Sequence, residues 1–329
     1  MKHLLIIFSF LLLFSSIFIS CSKSSDDGSK STDNTTSTDN TTSTDNTTST
    51  DNTTSTDNTT TSTWTKQLGT TFSDYAFSVT SDSSDNIYVT GYASRNLDGN
   101  TSSGGRDIFL LKYNSSGTRQ WTKQLGTTYT DYGLGVITDS SGNIYVTGEI
   151  GAELDGNTYL GNFDIFLVKY NSSGTKQWTK QLGTSYLDEG YSVTTDSLDN
   201  IYVTGWTNSN LDGNTSSGGR DIFLLKYNSS GTKQWTKQLG SSSFDEGQGV
   251  TTDSLDNIYV TGITYGDLDG KTSIGADDGD IFLLKYNSSG TKQWTKQLGS
   301  SSFDEGQGVT TDSLDNIYVT GITYGDLDG

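Results

Sequence analysis

The chain has 329 residues, with 20 Lys and Arg against 39 Asp and Glu, a formal net charge of −19. Such acidity repels phosphate backbones and excludes nucleic acid as an expected partner. The only histidine is His3 and the only cysteine is Cys21, which excludes His-based triads, zinc centres and an intrachain disulfide from the rest of the chain. A metal site there would need oxygen ligands, which favours calcium over zinc. Hydrophobic residues make up only 30%, yet there are 6 Trp, 18 Tyr and 13 Phe. One part of the chain is therefore expected to fold and another to remain unfolded. Proline is absent, so turns must rely on Gly, Asn, Asp and Ser.

Residues 1–20 read as a secretory signal: a Met-Lys-His start, an apolar run and a small residue, Ser20, immediately before Cys21. The segment resembles a bacterial lipobox, although Phe18 stands where Leu is usual. That resemblance implies cleavage after Ser20, lipidation of Cys21 and attachment to a membrane. The expected location is the bacterial cell envelope, at the outer membrane or cell surface. Residues 21–63 follow as a tether. Five copies of STDNTT run from Ser31 to Thr60. With no apolar residue after Cys21, the segment cannot offset its conformational entropy and is expected to be disordered. It would span about 140 Å fully extended and roughly 35 Å as a coil.

Residues 64–329 are one unit repeated. WTKQLG recurs at Trp64, Trp121, Trp178, Trp235 and Trp294, with spacings of 57, 57, 57 and 59. A long fixed period indicates a solenoid, propeller or array. Each unit offers four strands: A (YSVTTD in the unit of residues 191–196), B (NIYVTG), C (DIFLLKY) and D (TKQWTKQLG). β-Branched and aromatic residues fill them, and Asp, Asn and Gly bound them. The SSDN, SSGN, SLDN and NSSG segments are hairpin turns. No stretch shows helical periodicity. The expected fold is an all-β propeller with four complete four-stranded blades and a partial fifth. The repeated Trp residues are expected to be buried between blades.

The units resemble the SBBP type of bacterial β-propeller repeat, whose signature centres on D-x-x-G-N-I-Y-V-T-G. It reads DSSDNIYVTG, DSSGNIYVTG and DSLDNIYVTG here. More weakly, WTKQLG resembles the Trp-bearing last strand of quinoprotein-type propellers. The family implies a fold and often a surface or secreted location, without implying one activity. Strand D stands alone at Trp64 and only A and B follow the last WTKQLG, while residues 235–270 and 294–329 are identical. The chain is therefore expected to be a fragment of a longer array.

The units differ mainly in the D–A connection and the B–C loop, which lie on one face of a propeller. Binding is usually placed on such loops. The candidate ligand residues on this face are Tyr92, Arg95, Arg106, Trp206, Arg220 and Tyr265, with Trp206 central because it is the one Trp outside WTKQLG. The LDG element, with Asp98, Asp155, Asp212, Asp269 and Asp328, faintly resembles a calcium loop but lacks its full spacing, so no cofactor is expected and calcium is the alternative. The favoured function is a non-enzymatic, membrane-tethered binding or adhesion module for a glycan or protein. The alternatives are a propeller-based carbohydrate-active enzyme and a purely structural surface protein. Convergence of Glu149, Glu153, Asp267 and Asp277 around one pocket would favour the enzyme.

Overall fold

The computed structural model describes residues 4–6, 64–274 and 278–327. The lipidation site, the tether and Asp277 lie outside the described residues. Four sheets, each an antiparallel meander in chain order, make up the blades. The first blade comprises β2 (Tyr75–Ser81), β3 (Ile87–Ala93), β4 (Asp107–Tyr113) and β5 (Arg119–Leu125). The second has β6 (Asp131–Thr138), β7 (Ile144–Ile150), β8 (Asp164–Tyr170) and β9 (Lys176–Leu182). The third has β10 (Asp188–Thr195), β11 (Ile201–Thr207), β12 (Asp221–Tyr227) and β13 (Lys233–Leu239). The fourth has β14 (Asp245–Thr252), β15 (Ile258–Thr264), β16 (Asp280–Tyr286) and β17 (Lys292–Leu298). The fifth unit contributes β18 (Asp304–Thr311) and β19 (Ile317–Thr323), and β1 (Leu4–Ile6) runs parallel along the edge of β19.

The sheets pack face to face. Tyr88, Ile108 and Leu110 of the first blade share a core with Val136, Val146, Phe166 and Val168 of the second. Equivalent cores join the second blade to the third, the third to the fourth and the fourth to β18–β19. Strand C is apolar at successive positions because both its faces are covered: in β8 every residue is buried.

Five of the six letters of WTKQLG have separate tasks. In the second blade Trp178 lies over Tyr145 with ring centroids 5.9 Å apart and packs into the core shared with the third blade. The Thr179 hydroxyl donates to Asp155 of the LDG element at 2.6 Å. Gln181 bridges two elements: its Oε1 accepts from Leu154 N and its Nε2 donates to Asp164, the first residue of strand C. Leu182 packs against the inter-blade core. Gly183 leaves room for Asp164, whose Oδ1 would lie 2.2 Å from a Cβ placed there. The same contacts recur in the third blade through Thr236, Gln238 and Gly240.

Two expectations need correction. The repeated Trp121, Trp178, Trp235 and Trp294 are half-buried, because strand D is the outermost of each sheet. Residues 64–69 form no strand. Even so, Trp64 stacks on Tyr113 at 5.9 Å and donates from Nε1 to Ser115 O. It lies against Gly117 as Trp121 lies against Gly174 one blade later. Residues 64–69 thus sit where the strand D of a preceding blade would sit.

Candidate functional site: the face of the D–A and B–C loops

The two variable loop sets share one face because each B–C loop is stitched to the next D–A connection. Gly105 N donates to Tyr129 O and Asp131 N to Arg106 O, and the pattern recurs at Gly219 with Ser243 and at Asp245 with Arg220. An invariant Asp anchors each D–A connection. Asp131 accepts from Thr127 N, the Thr127 hydroxyl and Gly151 N while fully buried. Burial pushes its carboxyl above the ordinary value, against the pull of those hydrogen bonds. Asp188, in the same position one blade on, is pushed up to about 6 by burial, although Thr184 and Thr207 bond it. These carboxylates hold loops and are not free for chemistry.

The strand B position paired with the start of strand A changes from blade to blade: it is Tyr92, Glu149, Trp206 and Ile263 in the first to fourth blades. Between the first and second blades Tyr92 and Tyr132 meet edge to face at 5.1 Å. Arg106 lies 4.6 Å from the Tyr92 ring centroid and donates to the Tyr132 hydroxyl. Between the third and fourth, Arg220 covers the Trp206 ring at 4.0 Å and pairs with Glu246. The intervening junction has Phe163 in place of the Arg, and there Glu149 hydrogen-bonds Glu189. Burial raises both carboxyls, and for Glu149 the neighbouring Glu189 and Asp131 raise it further.

The candidate ligand residues divide accordingly. Trp206 is only 1% exposed and cannot offer its ring to a ligand, because Arg220 and its own blade cover it. The Tyr191 hydroxyl lies beside the Trp206 indole N–H, outside hydrogen-bonding geometry. Tyr92 is also buried. Both are junction residues, and the expectation of a ligand contact fails for them. Arg106 and Arg220 are half-buried and engaged as described. Arg95 is exposed and lies 4.4 Å from the Phe72 ring centroid. Tyr265 is half-buried and lines a shallow depression of about 440 Å³ with Gly219, Ser242, Ser243 and Phe244. Glu149 meets Glu189, whereas Glu153 and Asp267 stand at exposed loop positions on different blades. The LDG carboxylates are tied to strand D: Asp155 to Lys176 and Thr179, Asp212 to Lys233 and Thr236, Asp269 to Lys292 and Thr295. Among the described residues no cluster of three metal-ligating side chains is present.

Two sets of residues escaped the sequence reading. The first is a series of aromatics in the D–A connections: Phe72, Tyr129, Tyr186 and Phe244 are each more than half exposed. The signal was present, since TTFSD, TTYTD, TSYLD and SSSFD each hold one aromatic shortly before the anchoring Asp. The second lies on the opposite face. Leu198, Leu255 and Leu314 are about 70% exposed in the A–B turns, where the first two blades have Ser84 and Ser141.

The profile of the SBBP beta-propeller repeat is matched at residues 63–98, 120–154, 177–212, 234–269 and 293–328. The chain belongs to this family. Its curated relatives are distant. An uncharacterized WD repeat-containing protein, L264, of Acanthamoeba polyphaga mimivirus is 25% identical over 321 residues, covering 72% of this chain and 23% of that protein. The regulatory protein FlaEY of Caulobacter vibrioides is 27% identical over 202 residues, covering 56% of this chain and 20% of that protein. The SBBP chain thus spans about a quarter or less of either relative. Among solved structures, an ulvan lyase of polysaccharide lyase family PL25 aligns with a TM-score of 0.41 at 13% identity, over 73% of this chain and 62% of that one. A xylan beta-1,4-xylosidase from Bacillus halodurans aligns at 0.36 and 14% identity, over 77% and 49%.

Proposed function

We propose that this SBBP propeller is a non-enzymatic binding module, held at the bacterial envelope by lipidated Cys21 and presented on the 21–63 tether. Its ligand is a glycan that meets the face of the D–A and B–C loops. The carrying observation is the set of four exposed aromatics, Phe72, Tyr129, Tyr186 and Phe244, delivered by successive blades to that face. Apolar faces of sugar rings stack on such side chains, and the Ser and Thr hydroxyls of the same loops supply hydrogen bonds. Repetition favours many weak contacts along a polymer over one tight pocket. The anchor rests on the sequence preceding Cys21.

The test combines a glycan array with the variants Tyr129→Ala, Tyr186→Ala and Phe244→Ala. Each single change is expected to weaken binding and the triple change to abolish it, with Leu198→Ser on the opposite face leaving it intact. Undiminished binding by the triple variant would overturn the assignment of the face. For the anchor, Cys21→Ala is expected to shift the protein from the detergent phase to the aqueous phase in Triton X-114 partitioning.

A further inference from the structure

The fourth blade departs from the first three at two positions that meet. Directly before the anchoring Asp, the first three D–A connections hold Ser73, Thr130 and Leu187, and the fourth holds Phe244. Where the first three B–C loops hold Ser94, Gly151 and Asn208, the fourth holds Tyr265. The backbone joins the two changes, because Tyr265 N donates to Phe244 O at 2.9 Å. Both side chains line the depression of about 440 Å³, together with Gly219, Ser242 and Ser243.

The fifth unit carries the same pair on the same sequence, since residues 235–270 and 294–329 are identical. Its backbone is tied alike, with Tyr324 N donating to Phe303 O at 3.0 Å. There the two rings meet, with centroids 5.8 Å apart. Phe244 and Tyr265 make no such ring contact and have the depression beside them. The neighbouring loop accounts for the difference. A Cβ placed on Gly219 would lie 2.6 Å from two atoms of the Phe244 ring, and the Arg220 guanidinium lies 5.7 Å from that ring's centroid. Phe244 is thus drawn onto the B–C loop of the third blade. Asp278 and Gly279 hold the corresponding positions beside the fifth unit. Without a glycine shelf and a guanidinium there, Phe303 turns to Tyr324. One backbone therefore holds this aromatic pair both parted and closed.

We propose that Phe244 and Tyr265 form a clamp that takes one sugar ring between them, an inference that rests on the glycan reading above and names the ring. Stacking on both sides requires a ring with two apolar faces. A pyranose with every hydroxyl equatorial meets this need, since axial C–H bonds cover both faces. An axial hydroxyl, as in galactose or mannose, makes one face polar and leaves that hydroxyl against an aromatic surface. Arg220 is already committed to Glu246 and Trp206, so a neutral ring suits the site better than an acidic one. Ser242 and Ser243 bring hydroxyls to the same depression, where they can bond the equatorial hydroxyls of the sugar. The clamp grips a single gluco-configured ring, and the aromatics of the other blades extend the contact along the polymer.

The experiment uses the full chain purified in a sugar-free detergent and three probes: the methyl β-glycosides of glucose, galactose and mannose. In saturation-transfer NMR the glucoside is expected to bind, with saturation reaching the axial protons of both ring faces. The galactoside and mannoside should bind about threefold more weakly or less well still. Tyr265→Asn and Phe244→Leu place at these positions the residues that the third blade already carries there, so the fold should persist, checked by circular dichroism. Each is expected to weaken glucoside binding by about threefold to tenfold. Tyr324→Asn, in the closed pair, should leave it unchanged. Saturation confined to one face, equal binding of the three glycosides, or wild-type binding by Tyr265→Asn would overturn the clamp. An oligosaccharide whose binding falls with Tyr129→Ala and Tyr186→Ala but not with Tyr265→Asn would overturn the clamp and leave the wider glycan reading standing. A chain that binds no glycan at all would overturn both.

Discussion

Glu149 and Glu189 show how one substitution changes a junction. Arg106 and Arg220 satisfy the equivalent positions on either side, whereas Phe163 leaves two carboxyls to bond each other. Burial and mutual repulsion raise the carboxyl of Glu149 above its unfolded value. The folded state thus binds more protons than the unfolded state once pH exceeds the unfolded value, and stability falls as pH rises towards the raised one. Glu149→Gln removes that dependence. Urea unfolding should show the variant gaining on the order of 1–2 kcal/mol over wild type between about pH 5 and about pH 8. The two classes of Trp should also separate. Trp206→Ala empties a fully buried site and is expected to cost about 3–5 kcal/mol. Half-buried Trp178→Ala should cost about 2 kcal/mol.

At the scale of elements, the B–C loop is long but tied down at defined points. Gln238 links it to strand D, accepting from Leu211 N while donating to Ser209 O and Asp221. Asp221 is fully buried, so losing that donor leaves its carboxylate poorly satisfied. Gln238→Ala should therefore destabilise by about 2–3 kcal/mol. Faster hydrogen exchange at Leu211 and through residues 208–220 would locate the loss in the loop. Tethering of this kind gives the LDG carboxylates a fixed role: Asp98, Asp155, Asp212 and Asp269 are each occupied by the Thr and the Lys or Arg of their own strand D.

For the whole molecule, binding by repeated aromatics predicts a graded response. Each blade contributes one weak contact, so affinity for a short oligosaccharide should be low and should rise steeply with chain length. Isothermal titration with oligomers of increasing length would show this rise, and Tyr186→Ala should flatten it more than it changes binding of the shortest oligomer. A length-independent affinity would point to a single pocket, for which the depression beside Phe244 and Tyr265 is the place to look.

Periodicity determined most of the architecture. The recurrence of WTKQLG, the alternation in YSVTTD, the continuous apolar run in DIFLLKY and the Asp- and Gly-bearing turns are local signals, and they fixed the four strands, their order and the repeat. The sequence also showed which loops vary, because the comparison needed only one chain against itself. What it could not show was which variable side chains reach solvent. Trp206 looked exceptional by being unique, but exposure depends on what the next blade places above it, and Arg220 and Glu246 come from outside its own strand. Phe72, Tyr129, Tyr186 and Phe244 looked ordinary because they repeat, and only the stitching of B–C loops to D–A connections leaves them facing outward. The pairing of Glu149 with Glu189 is likewise a property of a junction, where residues 40 positions apart meet, and only the packing of whole sheets brings them together.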